Sequence, residues 1–149
     1  LSPRTAESFA KKLLGSACEV RVSDEAFSPQ AVLITPHNKV NVPSGLLGGS
    51  LEDHAKALRE MSSDYRACYV VYLGEGLIVP EADEWARELA RDGMLDMHRD
   101  SQKCLYGTVD GPGINKAFFV ADGTFHIVET TPANINRSLE NLSGRLGEN

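Results

Sequence analysis

Residues 103–129 read KCLYGTVDGPGINKAFFVADGTFHIVE, in which three apolar runs, 103–109, 117–121 and 124–129, are separated by Asp110-Gly111-Pro112-Gly113 and by Asp122-Gly123. Asp-Gly between apolar runs favours a tight hairpin, because a type I′ turn needs positive φ at both central positions. The stretch therefore predicts a β-meander of three antiparallel strands. Strands joined by hairpins place the chain in the α+β class and away from the parallel nucleotide-binding folds.

Upstream of the meander, Glu81 to Arg91 predicts a helix with acids in its first turn, arginines near its end and Gly93 as its stop. Its apolar stripe is Ala82, Trp85, Ala86, Leu89 and Ala90. Residues 67–73 alternate as a strand, followed by Gly74-Glu75-Gly76 and a short apolar arm over 77–79. Ser50 caps a helix that should end by Ser63, with Asp53 as a near capping box and Leu51, Ala55, Leu58 and Met61 as its buried line. Residues 31–34 read as a strand ended by Pro36, and Val40 and Val42 as a short edge strand before Pro43. At the N-terminus, Ser2-Pro3 opens a helix with Ala6, Phe9, Ala10, Leu13 and Leu14 on one face and Gly15 as its stop. Cys18, Val20 and Val22 then alternate with polar residues as a strand. After the meander, Thr131-Pro132 opens a closing helix lined by Ile135, Leu139, Leu142 and Leu146.

The expected fold is α+β in a single domain over residues 1–149: a mixed, mostly antiparallel sheet of about five to seven strands, with the C-terminal meander, packed by about four helices. Strands 31–34, 67–73 and 117–121 are apolar on both faces. Either the helices split over the two sides of the sheet or another chain covers one side.

Composition narrows the classes of function. A formal charge of −6 without a basic cluster argues against a nucleic acid partner, which would need Lys and Arg along a phosphate stripe. No apolar run approaches the ~20 residues of a bilayer span, so no membrane partner is expected. The charged N-terminal residues lack the apolar core of a signal peptide. Cys18, Cys68 and Cys104 cannot all pair within one chain, and each falls in an expected strand, so buried, reduced thiols and a cytoplasmic location are expected. The sequons at Asn136 and Asn141 are short enough to arise by chance.

Three stretches carry candidate chemistry. Gly45, Gly48, Gly49 and Ser50 lie in a loop that opens into a helix, where free N–H groups and the dipole could hold an anion. His98 lies between Asp96 and Asp100, an arrangement that could orient a general base. Cys104 would be a nucleophile if the meander brought it to His98 or His126. The histidines, His37, His54, His98 and His126, lack metal-ligand spacing, and neither a metal nor a cofactor is expected. The aromatics Tyr69, Tyr72, Phe118 and Phe119 are contact anchors if one sheet face is open, and core if both are covered.

The leading expectation is a non-catalytic protein-interaction module, an adaptor or assembly subunit that presents a sheet face or edge to a protein partner or to itself. The alternative is a small enzyme or ligand-binding domain for a phosphorylated or carboxylated metabolite, with the glycine loop holding the anion and His98 or Asp100 as acid or base.

Overall fold

The computed structural model describes residues 2–21, 27–47, 49–81, 83–124 and 126–130, with the backbone alone at Leu51. Ser2 caps α1 (Pro3–Val20), its Oγ accepting from the Thr5 N–H at 3.2 Å with Pro3 in the first turn. Gly15 does not stop this helix, and Cys18 and Val20, expected on a strand, lie in its last turn. The physical reason is cooperativity: extending a nucleated helix is cheap, and Ala17 continues the buried stripe of Ala6, Ala10 and Leu14. A five-residue alternation is too short to compete.

β1 (Gln30–Ile34) and β2 (Lys39–Val42) form a hairpin in which the Asn38 N–H donates to Thr35 Oγ1 at 3.0 Å. Ser50 caps α2 (Leu51–Tyr65), accepting from the Asp53 N–H at 3.1 Å, and Arg66 ends the helix in the left-handed region at φ 53, beyond the expected stop at Ser63. β3 (Tyr69–Ile78) runs straight through Gly74-Glu75-Gly76, where a break was expected. Gly74 is there to leave room: a Cβ on it would lie 2.6 Å from the Tyr106 hydroxyl. α3 (Glu84–Arg91) and a 3₁₀ turn, Leu95–Met97, lead into β4 (Gln102–Gly111), β5 (Ile114–Ala121) and the short β6 (Val128–Thr130).

The meander is present, with different turns. Gly111 pairs with Ile114, which leaves Pro112-Gly113 at the centre of the first hairpin, with Gly113 at φ 80; proline followed by a positive-φ glycine is the type II pattern. At the second turn Gly123 has φ 82, and Asp122 does not share the positive φ that type I′ demands.

The described strands form one six-stranded sheet, order β2-β1-β3-β4-β5-β6, and all five neighbouring pairs are antiparallel rather than mixed. Three helices are found among the described residues, against about four expected, α1 and α2 on the faces of the sheet and α3 in the connection between β3 and β4. The fourth, expected over 131–146, lies outside the described residues.

The sheet has a core on each face. On one side α1 packs Ala6, Ala10 and Leu14 against Val32, Val71, Leu105, Val109 and Phe118. On the other, Ala55 and Leu58 of α2 belong with Leu33, Val70, Tyr72, Tyr106 and Phe119. Adjacent strand residues point to opposite faces, which is how Phe118 and Phe119 enter different cores. Burying a side chain such as Leu14 contributes roughly 1.5–3 kcal/mol. The helices thus divide over the two sides within one chain, and Tyr69, Tyr72, Phe118 and Phe119 are all buried. These four occupy the place that a two-sided core gives them, and none is on an open sheet face. No helix among the described residues is long and apolar enough to cross a membrane.

Candidate functional site

Between β3 and β4 the chain leaves the sheet and builds a small arm over residues 79–101. Val79, Ala86, Ala90 and Leu95 form a third apolar cluster, separate from the two sheet cores, with Leu77 and Leu89 half-buried against it. Asp83 starts α3 by accepting from the Ala86 N–H at 2.7 Å, a cap residue the sequence reading had placed inside a helix beginning at Glu81. The same carboxylate lies 3.4–3.5 Å from His98 Nε2. On the other side of the ring, the Asp100 backbone N–H donates to Nδ1 at 3.1 Å.

Those contacts decide what His98 can do. An N–H pointing at Nδ1 makes that nitrogen the acceptor, so the neutral ring carries its proton on Nε2 and directs it at Asp83. Both nitrogens of this buried ring are therefore engaged, and the imidazole joins the start of α3 to the segment that enters β4. Trp85 lies over it, ring centroids 4.9 Å apart and planes tilted 38°. Trp85 is thus outside the buried stripe in which its spacing had placed it. It is 51 % exposed, and Met94 and Met97 beside the same arm are 46 % and 61 % exposed. The Asp100 carboxylate is exposed, 3.9 Å from Arg99 Nε, and faces an open cleft of about 320 Å³ that Glu81, Ser101 and Gln102 also line.

Asp83 supplies a pH prediction. Its carboxyl is held below the ordinary range, first by the Ala86 N–H, with desolvation opposing and the His98 hydrogen bond assisting. A depressed folded-state pKa means the stabilisation is present above the unfolded value of about 3.9 and is lost as pH falls through the folded value. Asp83→Asn keeps a capping side chain without the charge. The urea midpoint of the wild type should exceed that of the variant at neutral pH, and the gap should narrow as pH falls below the unfolded carboxyl value of about 3.9. A gap that keeps its full size from neutral into acid pH would contradict the assignment.

Cys104 is fully buried on β4, opposite Gly76 and Ala121. Burial, aided by the Asp122 charge, pushes its thiol up to about 12, so the nucleophilic thiolate is scarce near neutral pH. Among the described residues no hydrogen bond joins it to His98 or His126. Cys18 is half-buried on α1, its thiol also raised by burial, and Cys68 is half-buried just before β3.

In the glycine loop, Gly45 lies in a 3₁₀ turn (Ser44–Leu46), Leu47 is buried, Gly49 is exposed and Gly48 is outside the described residues. The Ser50 hydroxyl is used in capping, and Glu52 and Asp53 fill the first turn of α2. Two carboxylates there answer the helix dipole themselves and repel a second anion. Among the described residues no group of three or more His, Cys, Asp and Glu is placed to hold a metal ion.

Two polar groupings escaped the sequence reading. His54 Nδ1 lies 2.8 Å from the Tyr72 hydroxyl, and Tyr72 hydrogen-bonds Tyr106, all three buried between α2 and the sheet. Burial lifts Tyr72 to about 12 and Tyr106 well above its ordinary value, so both phenols stay protonated and the line serves to orient the core. Arg21, just past α1, pairs with Glu75 on β3 at 2.7 Å and with Asp122 in the β5–β6 connection. The partners are 54 and 101 residues away in the chain, a separation that leaves no local pattern to read.

No protein-family model matches the chain, and neither does any curated protein or solved structure.

Proposed function

We propose that the chain is a protein-interaction module without catalysis of its own, and that its contact surface is the arm over residues 79–101. The observation that carries this reading is the exposure of Trp85, the single Trp of the chain, with Met94 and Met97 beside it. A half-exposed Trp loses contact with water only when something docks on it, and Trp is among the residues that most often dominate binding energy at interfaces. Unbranched, polarisable Met side chains adapt to the shape of a partner. The arm is suited to present them because its own apolar cluster and the Asp83–His98–Asp100 contacts hold Trp85 in place before binding.

The commitment of both His98 nitrogens and the burial of the Cys104 thiol support the non-catalytic form of the reading. Two covered sheet faces move the expected contact from the sheet to the arm. The edge version keeps one foothold at β6, the outer strand among the described residues, where Val128 and the preceding Ile127 are exposed.

Affinity capture from an extract of the source cells tests the proposal. Wild type should retain at least one protein that Trp85→Ala/Met97→Ala retains roughly 30-fold less, the loss expected from removing an anchor worth about 2 kcal/mol. Equal retention of every captured protein by the two, with the variant folded by circular dichroism, would overturn it.

A further inference from the structure

We infer that the segment docking on this arm is basic and amphipathic, with Lys or Arg bordering the apolar side chains that cover Trp85, Met94 and Met97. The inference rests on the interaction reading above and adds the chemistry of the partner. Its ground is the charge around the apolar surface. Residues 80–100 hold seven Asp and Glu against three Arg, a net −4 out of a formal −6 for the whole chain. The same stretch holds the only Trp and two of the three Met. The chain's excess of negative charge therefore coincides with a cluster of three exposed large apolar side chains.

The placement within the arm sharpens the point. At about 100° per residue, Glu88 lies about 60° and Glu84 about 100° from Trp85 around α3, whereas Arg91 and Arg87 lie about 120° and 160° away. All four lie to the same side of Trp85, so the carboxylates border it and the arginines follow directly beyond them. Asp92 and Asp96 are exposed next to Met94 and Met97 in the same way. Asp83 is engaged by Ala86 and His98, and Asp100 lies 3.9 Å from Arg99, which leaves Glu81, Glu84, Glu88, Asp92 and Asp96 as the acids for a partner.

An apolar surface rimmed by one sign of charge selects a partner of the opposite sign, because like charges at the rim raise the free energy of the wrong complex and lower its rate of formation. A second copy of this chain brings a net −6 and is disfavoured on that ground. An anionic lipid surface meets the same repulsion. A basic amphipathic segment satisfies both requirements at once, its apolar side chains on Trp85 and the Met pair and its cations on the acids around them.

The single Trp makes the test direct, since intrinsic fluorescence of the intact protein reports the docking site alone. The probe is a Trp-free synthetic peptide of about 18 residues, five helical turns, made of Leu and Lys with Leu at i, i+3, i+4 and i+7. Its counterpart has Glu for Lys. The Leu–Lys peptide is expected to shift Trp85 emission to the blue with saturation, and to bind roughly tenfold more weakly when salt is raised from about 0.05 to 0.5 M. The Leu–Glu peptide should give no saturable shift. Glu84→Lys/Glu88→Lys should weaken the Leu–Lys peptide at least about tenfold, and Glu52→Lys/Glu60→Lys, the same charge change on α2, less than about twofold. Should the first pair disturb α3, Asp92→Lys/Asp96→Lys carries the same expectation.

Equal binding of the two peptides overturns the basic assignment while leaving the arm an apolar docking surface. An absent shift with either peptide, or equal weakening by the arm and α2 substitutions, also overturns it. A blue shift that grows with protein concentration alone would put a second copy on the arm instead. None of these results bears on the capture comparison, whose failure would remove the interaction reading itself.

Discussion

Phe118→Ala is expected to lower the free energy of unfolding by about 3–5 kcal/mol, the largest single effect foreseen for this chain. Phe118 is 0 % exposed on β5, in the core that α1 forms with β1, β3 and β4. Removing the ring loses its transfer free energy and leaves a cavity between elements that cannot all close on it. Small domains have roughly 5–15 kcal/mol in total, so the change consumes a large share of what holds the fold. Equilibrium urea denaturation reads it as a lower midpoint at nearly constant slope. The same measurement separates core from interface. Were Phe118 a surface anchor waiting for a partner, its removal from the isolated chain would cost no more than the ~0.5 kcal/mol of an ordinary surface change, and a loss that small would contradict the core assignment.

Gly111→Ala should destabilise by about 1–3 kcal/mol, at the upper end of that range for overpacking. A Cβ at Gly111 would fall 2.5 Å from the Cys68 carbonyl oxygen and closer still to the Tyr69 ring. The carbonyl is backbone, and its own residue is tied to the next strand by the Cys68 N–H, which donates to the Ile34 carbonyl at 2.7 Å. Neither neighbour can move without disturbing the start of β3. At this size each kcal/mol lowers the melting temperature by roughly 2–4 °C. Gly45→Ala is the control: nothing lies within 4 Å of a Cβ there, and the backbone is not in the left-handed region. It should leave the melting temperature unchanged or raise it slightly. Equal losses from the two substitutions would show that loss of glycine as such, rather than the contact with Cys68, is what matters.

Much of the fold was legible because its signals are local. The cap at Ser50, the proline after Ser2 and the turn glycines Gly113 and Gly123 each act over three or four residues, and each is found where the pattern places it. The misreadings share a different cause. Gly15, Gly74 and Gly76 look like breaks in one dimension. The first is carried by a helix whose stripe continues to Ala17, and Gly74 gives way to a tyrosine from the neighbouring strand. Trp85 has the spacing of a buried face, but periodicity identifies a face without naming what covers it. On this arm the cover ends at Ala86 and Ala90.

The candidate site followed the same division. His98 and Asp100 were visible as a cluster in sequence, and only the fold shows that the ring is engaged by Asp83 fifteen residues earlier and by the Asp100 backbone. The His54–Tyr72–Tyr106 line and the Arg21–Glu75–Asp122 pairs join residues that meet only once the sheet is assembled. By itself the sequence determined the α+β class, the meander, the starts of α1 and α2 and the acidity of the segment around Trp85, because propensity, turn chemistry and charge are properties of neighbouring residues. Which aromatics are core, that the His98 Nε2 proton meets Asp83, and that Trp85 faces solvent were decided by tertiary packing, because each depends on atoms brought together from separate parts of the chain.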